Sequence, residues 1–328
     1  MKGIEVLDRP VSQSFYAVAG RLLFVQCFDR HLAARIERLF SGWQLTPVSS
    51  SELNPDIEIS FSSTGSLPPL PRGLTEFEVA AGGSCYLHAD ELYLQFDNSL
   101  LLLEHKNPVR VSVFIREAND VELGRVTSFA VCAALRRFGL FELHAAGVVV
   151  PNTRDGVLIV GPSGSGKSTL TLELVKSGWG YLSDDELLLS FAGEEVEARG
   201  FRSFFALAPA SVATVGPTRF KTSFEPASMF AALAVTSVAS RFVLFTSING
   251  LRETQISALD QAGTMTRLIR ACPWATYDTA VAGPYLQLLS HLARQSQGFD
   301  LQAGTDLLEP DRASHIISRC LSRVNNGD

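Results

Sequence analysis

Positive charge is scarce in this sequence. Its 28 Lys and Arg residues are outnumbered by 34 Asp and Glu, which leaves a formal net charge of −6. A chain that wraps duplex nucleic acid needs a basic footprint, so no nucleic-acid partner is expected. Long apolar runs are missing too. The stretches 15–28 and 229–235 are broken by Arg21 or fall short of the roughly 20 apolar residues that a spanning helix needs. No membrane partner is expected. The opening MKGIEVLDRP lacks the apolar core of a secretory signal. Cysteine is sparse and scattered: Cys27, Cys85, Cys132, Cys272 and Cys320 give neither a CxxC nor a zinc-knuckle spacing. An odd, dispersed set fits a reducing compartment. These residues are read as small buried hydrophobes, and the expected location is cytoplasmic. No internal repeat with a period of about 20–50 residues is visible, which sets solenoids aside.

What is present is a packed chain, with 46% hydrophobic and 19% charged residues. At roughly 100–200 residues per domain, 328 residues suggest about two domains. The first, 1–118, reads as a small α+β unit with antiparallel strands. FYAVAGRLLFVQCF (15–28) is β-rich with a turn near Gly20. Asp29 is placed to cap a helix over 29–40, whose inner face carries Leu32, Ile36, Leu39 and Phe40. DIEISFS (56–62) alternates like a half-buried strand. A Ser/Pro/Gly loop follows at 62–73. Short β-rich runs over 75–115 then predict an antiparallel meander. Residues 119–139 predict a long helix stopped by Gly139, with Val121, Val126, Phe129, Ala130, Ala133, Ala134 and Phe138 as its apolar stripe. The domain boundary is expected just before that helix, so the second domain is 119–328. It holds strands over 141–150, 156–161, 180–191, 195–207 and 242–248. Helices are expected at 167–177, 260–271, 279–294 and 310–324. Leu286, Leu289, Leu292, Ile316, Ile317 and Leu321 should face its core.

The motif that carries chemistry is Gly161-Pro162-Ser163-Gly164-Ser165-Gly166-Lys167-Ser168. It satisfies G-x-x-x-x-G-K-[ST], a Walker A loop, and lies between an apolar strand and a helical pattern. Gly161, Gly164 and Gly166 permit backbone conformations closed to residues with a Cβ. The loop N–H groups and the positive end of the following helix can then cradle phosphates. Lys167 supplies a mobile charge for them, and Ser168 offers a hydroxyl to magnesium. With Ser163, Ser165 and Thr169, these residues form the expected ATP site.

An acidic pair follows at Asp184-Asp185, between Leu182 and Leu187-Leu188-Leu189. On a regular strand the two side chains would point to opposite faces and do different jobs. One would serve the metal, and the other would take the proton of an acceptor hydroxyl. His144 sits on the strand before the loop. Glu197 and Arg199 lie in EARGF, where a solvated strand face competes with a functional role.

LHAAGVVV followed by GPSGSGKSTLTLELVKSGWGYLSDDE resembles the catalytic domain of bacterial HPr serine kinase/phosphorylase. More weakly, it is similar to the nucleotide core of ATP-dependent phosphoenolpyruvate carboxykinase. The close match covers His144 to Leu189. The resemblance implies an α/β P-loop kinase domain with a mixed sheet, using ATP and Mg²⁺ to phosphorylate a serine of a peptide or protein. It implies Lys167 and Ser168 at the phosphates and metal, Asp184 as general base, Asp185 near the metal, and His144 close to the transferred phosphate. Glu197-Ala198-Arg199-Gly200 looks like a remnant of the family's Glu-x-Arg-Gly signature. Phe201 and Arg202 depart from the usual apolar–glycine pair, which counts against the reverse, phosphorolytic reaction. The first 118 residues do not resemble the HPr kinase N-terminal domain. The layout is closer to HPr-kinase-like proteins of peptide-modification gene clusters, some of which phosphorylate lasso-peptide precursors. HPr kinase relatives form rings, so a homo-oligomer is also implied. Arg199, Arg219, Lys221 and Arg241 are candidates for an additional cation at the site. Rival readings are a small-molecule hydroxyl kinase of the same fold, a non-catalytic ATP-binding or ATPase switch, and a carboxykinase-like lyase. No residues set up a switch that senses the γ-phosphate, and no convincing arginine and metal set for a dicarboxylic acid is present.

Overall fold

In the computed structural model, residues 9–49, 54–79, 82–88, 91–117, 119–203, 205–207, 222–224 and 234–325 are described. The chain divides into two units, Met1–Leu140 and Phe141–Asp328.

In the first unit, strands β1 (Ser12–Val18) and β2 (Arg21–Cys27) form a hairpin. It turns through Ala19 and Gly20, both at positive φ, the backbone that tight hairpins require. Helix α1 (Arg30–Phe40) starts where Asp29 accepts from the Leu32 N–H at 2.8 Å, and it buries Leu32, Ile36 and Phe40. Strands β3 (Thr46–Val48), β4 (Ile57–Ser63), β5 (Thr75–Val79), β6 (Gly83–His88), β7 (Glu91–Gln95), β8 (Ser99–Glu104) and β9 (Val109–Ile115) complete a nine-stranded sheet in the order β3-β1-β2-β4-β9-β8-β7-β6-β5. The segment 75–115 is the antiparallel meander that its short runs implied. β4 instead runs parallel to β2 and β9, which makes the sheet mixed.

Helix α2 (Asp120–Arg136) is capped by Asn119, and Gly139 turns the chain away at φ 72. It packs on β8 and β9, and its Glu122 carboxylate accepts from the Asn98 N–H and the Ser99 hydroxyl. The helix therefore belongs to the first unit. The division falls after Leu140, beyond the helix rather than near residue 118. Val121 is also turned outward, at 71% exposure, and Leu123 takes the inner position.

The second unit contains β10 (Phe141–Leu143), β11 (Ala145–Val149), β12 (Asp155–Val160), α3 (Lys167–Lys176), β13 (Gly180–Ser183), β14 (Leu187–Ala192), β15 (Glu195–Gly200), β16 (Phe205–Leu207), β17 (Thr222–Phe224), β18 (Ser237–Ile248) and β19 (Gln255–Leu259). Helices α4 (Gln261–Ala271), α5 (Trp274–Tyr277) and α6 (Ala282–Gln295) follow, then β20 (Gln297–Ala303), a 3₁₀ turn (Thr305–Leu308) and α7 (Arg312–Asn325). The large sheet is mixed. β12, β18 and β20 are mutually parallel, and the other pairings are antiparallel. α3 and α7 contribute Leu170, Leu174, Ile317 and Leu321 to a core that also contains Val157, Ile159, Leu244 and Leu301. Truncating a side chain such as Ile317 to alanine there would cost about 2–5 kcal/mol. Leu289 and Leu292 of α6 are buried, whereas Leu286 and Ile316 are only half-buried. β19 and β20 were not apparent in the pattern.

One pairing positions the site. β10 pairs with β14 (Phe141↔Leu189, Leu143↔Leu187), and β11 pairs with β13 (Gly147↔Ser183). β10 and β11 are one run of chain, and β13 and β14 are another. The ladder between these runs is open where His144, Ala145 and Ala146 face Asp184, Asp185 and Glu186. Leu143↔Leu187 and Gly147↔Ser183 share one register, and the pairing then shifts by one residue between Gly147 and Val148. Ala145 and Ala146 stay fixed through the opening by pairing with Val160 and Ile159 of β12. No helix among the described residues is long and apolar enough to cross a membrane. The five cysteines form no disulfide; Cys320 is half-buried and the others are buried.

Candidate phosphate site

The 161–168 loop leaves β12 at its carboxyl end and enters α3 at Lys167. A Cβ on Gly161 would collide with the Ser165 hydroxyl and lie 2.7 Å from the Thr246 carbonyl oxygen. Only glycine lets β12, the loop and β18 approach this closely. Gly164 and Gly166 take φ of 83° and 91°, the left-handed region that glycine enters without penalty. Ser165 Oγ is buried 3.1 Å from Thr246 Oγ1, which ties the loop to the neighbouring parallel strand. Sequence reasoning missed Thr246, because strand pairing brings it to the loop from far along the chain.

Lys167 is 5% exposed. Its Nζ donates to the carbonyls of Gly161 at 2.7 Å and Pro162 at 3.2 Å, and lies 3.0 Å from His144 Nε2. An ammonium cannot accept a hydrogen bond, so in this contact Lys167 is the donor and Nε2 the acceptor. Asp185 Oδ1 is 3.5 Å from His144 Nδ1. Lysine, histidine and aspartate thus form one chain of contacts across the ladder opening.

On the other side, the Ser168 hydroxyl donates to Asp184 Oδ1 at 2.9 Å. Asp184 is fully buried. The Tyr181 phenol is held neutral well above its ordinary range, first by burial and then by the Asp184 carboxylate.

The acidic pair does not lie on a continuous strand. β13 ends at Ser183, and the chain makes a tight turn in which the Glu186 N–H donates to the Asp184 carbonyl at 2.9 Å. Asp185 has φ 71. The carboxylates still diverge, but the turn separates them rather than strand alternation. Asp184 is buried beside Ser168, and the Asp185 side chain is 53% exposed beside His144. Asp184 is thus the carboxylate next to Ser168, and Asp185 is the one open to solvent.

Ser163 is exposed on the loop and Thr169 is half-buried in the first turn of α3. Arg199 donates to Glu197 at 2.7 Å, and Arg241 donates to Glu195 at 2.8 Å. In this state these two arginines are engaged within or beside β15. Arg219 and Lys221 lie outside the described residues. Among the described residues, no group of three or more His, Cys, Asp or Glu side chains could hold a metal ion. Magnesium at a phosphate loop needs no such cage, because it retains waters and takes one or two protein oxygens plus phosphate. Ser168 Oγ and Asp184, both hard oxygen donors, fit that requirement.

The chain matches no protein-family model and no curated protein. Among solved structures, the Hpr(Ser) kinase/phosphatase from Coxiella burnetii matches 56% of this chain and 97% of that chain. The TM-score is 0.32 and the identity 12%. A likeness that slight carries no weight for function, so the functional reading stands on the geometry of the site.

Proposed function

We propose that the second unit is an ATP- and magnesium-dependent kinase that transfers the γ-phosphoryl group to a hydroxyl, taken to be a serine of a peptide or protein. One observation carries this reading. A glycine-built phosphate loop and two carboxylates in different environments converge on the ladder opening, with Lys167, His144 and Ser168 between them. The loop N–H groups, the N-terminal end of α3 and Lys167 bind and orient the phosphates. Magnesium, held by Ser168 and Asp184, would supply charge neutralisation at the phosphate oxygens. Asp185 orients the acceptor hydroxyl and takes its proton as the acceptor oxygen bonds to the γ-phosphorus and the bond to the ADP oxygen breaks. His144, bridging Lys167 and Asp185, keeps these two groups in register. Asp184 thereby takes the metal role and Asp185 the base role.

The test is to incubate the full chain with γ-labelled ATP and magnesium. One set of reactions contains serine-bearing peptides, including lasso-type precursor sequences, and another contains small hydroxyl compounds. Mass spectrometry then identifies any phosphorylated product. A phosphoserine peptide supports the proposal. Product only among small molecules moves the acceptor to the rival class. ATP binding with no acceptor phosphorylated in either set refutes the kinase reading and favours a nucleotide switch.

A further inference from the structure

The turn that carries both carboxylates is fastened from behind by a residue that sequence reasoning set aside as a departure. Arg202 follows the end of β15. Its Nε donates to Glu186 Oε2 at 3.1 Å, and a second guanidinium nitrogen lies 2.9 Å from the same oxygen. The Arg202 backbone also grips the turn, because its N–H donates to Ser183 Oγ at 2.9 Å. The Ser183 hydroxyl lies within hydrogen-bond reach of two carbonyls, Glu186 at 2.8 Å and Arg202 at 3.0 Å. Ser183 is the last residue before the turn and Glu186 the last residue within it. Both ends of the Asp184–Asp185 segment are thus tied to one residue just beyond β15. Asp185 sits between them at φ 71, a left-handed backbone state uncommon for residues other than glycine.

We propose that Arg202 is a positioning residue. With Glu186 and Ser183 it clamps the acidic turn, holding Asp184 against Ser168 and Asp185 against His144. Its contacts with Glu186 and Ser183 lie on the turn, and it acts through the shape of that turn. A guanidinium suits this task, since two of its N–H groups converge on one carboxylate oxygen in a fixed plane. A lysine would offer only a point charge. The consequence for function rests on the kinase reading above, whereas the clamp itself can be tested without it.

The experiment uses the full chain with Arg202→Ala, Arg202→Lys, the near-isosteric Glu186→Gln, and the double variant Arg202→Ala/Glu186→Gln. Hydrogen–deuterium exchange without ligand should show residues 183–187 exchanging about tenfold faster or more in Arg202→Ala and Glu186→Gln. Exchange in α3 should be unchanged. Arg202→Lys should fall between wild type and Arg202→Ala, and the double variant should exchange no faster than the worse single one, because the two residues act as one unit. ATP binding is then measured by calorimetry with and without magnesium. The gain in affinity from magnesium should shrink by about 10-fold or more in both single variants, while magnesium-free ATP affinity stays within about threefold. Unchanged exchange at 183–187 in both single variants overturns the clamp. Faster exchange with the full magnesium gain retained overturns its positioning role. If wild type binds no ATP but the exchange pattern appears, the clamp stands and the kinase reading fails.

Discussion

Asp185→Asn separates the two carboxylates more sharply than any other single change. The substitution removes the charge and proton affinity of a side chain that is 53% exposed and 3.5 Å from His144 Nδ1. Asparagine is among the non-glycine residues that best tolerate φ 71, so the turn keeps its backbone. The lost exposed pair with His144 is worth at most about 1 kcal/mol. The fold should therefore lose about 1 kcal/mol or less, which denaturant melts can read. Losing a positioned base should lower the transfer rate by about 10²–10⁴-fold, equivalent to about 3–5 kcal/mol of barrier. The assay is single-turnover transfer to whichever acceptor the labelled-ATP screen identifies, with ATP affinity measured in parallel. Affinity should stay within a few-fold, because Asp185 does not contact the loop. Asp184→Asn is the paired control. It weakens the charge-assisted bond from Ser168, worth about 1.5–3 kcal/mol, and should chiefly reduce the benefit of magnesium. If Asp185→Asn transfers at nearly the wild-type rate while Asp184→Asn is inactive with normal MgATP binding, Asp185 is not the base. The roles implied by the resemblance would then be restored.

Lys167→Ala removes the ammonium that spans the Gly161 and Pro162 carbonyls and His144, and transfer should fall by about 10²–10³-fold or more. Initial rates at saturating acceptor would show it, and a rate near wild type would exclude Lys167 from the chemistry. Gly161→Ala forces a methyl group against Ser165 and Thr246. It should lower stability by about 1–3 kcal/mol and weaken ATP binding, and an unshifted melt would contradict the close approach. The Tyr181 phenol is harder to ionise when folded than its ordinary value of 10.0. The folded state thus holds that proton more tightly. The associated stability is full below that value and is lost as pH rises beyond it. Tyr181→Phe should flatten the loss of stability between about pH 9 and about pH 11, as read by urea midpoints. An unchanged slope would remove Tyr181 as its source.

What could be read from the sequence was local. The phosphate loop declared itself because its glycines, lysine and serine are contiguous and the flanking patterns are strong. Asp29 and Gly139 marked helix ends because capping is decided within a few residues. The acidic turn was misread as strand because Leu182 and Leu187–Leu189 on either side are all buried, and nothing in the string reveals the left-handed step at Asp185. β20, QGFDLQA, was hidden because it lacks an apolar run. Its Gly298 is required by the closeness of Thr264 on α4, a constraint that exists only after the layers pack. Helix α2 was assigned to the wrong unit because an amphipathic stripe says that a face is buried, not against what. Thr246 and Arg202 reach the site through strand pairing, and pairing partners are not spelled out locally.

The ladder opening between β10/β11 and β13/β14 has a consequence for how this chain can change. Leu143↔Leu187 and Gly147↔Ser183 lie on one register, so both strands cross the opening with the same number of residues. Side-chain direction alternates residue by residue along each strand. Inserting or deleting a single residue between Leu143 and Gly147, or between Ser183 and Leu187, would turn one flank of that strand inside out against its partner. Substitutions can retune the chemistry inside the window, whereas a change in its length has to be absorbed by an irregularity of the kind already present between Gly147 and Val148.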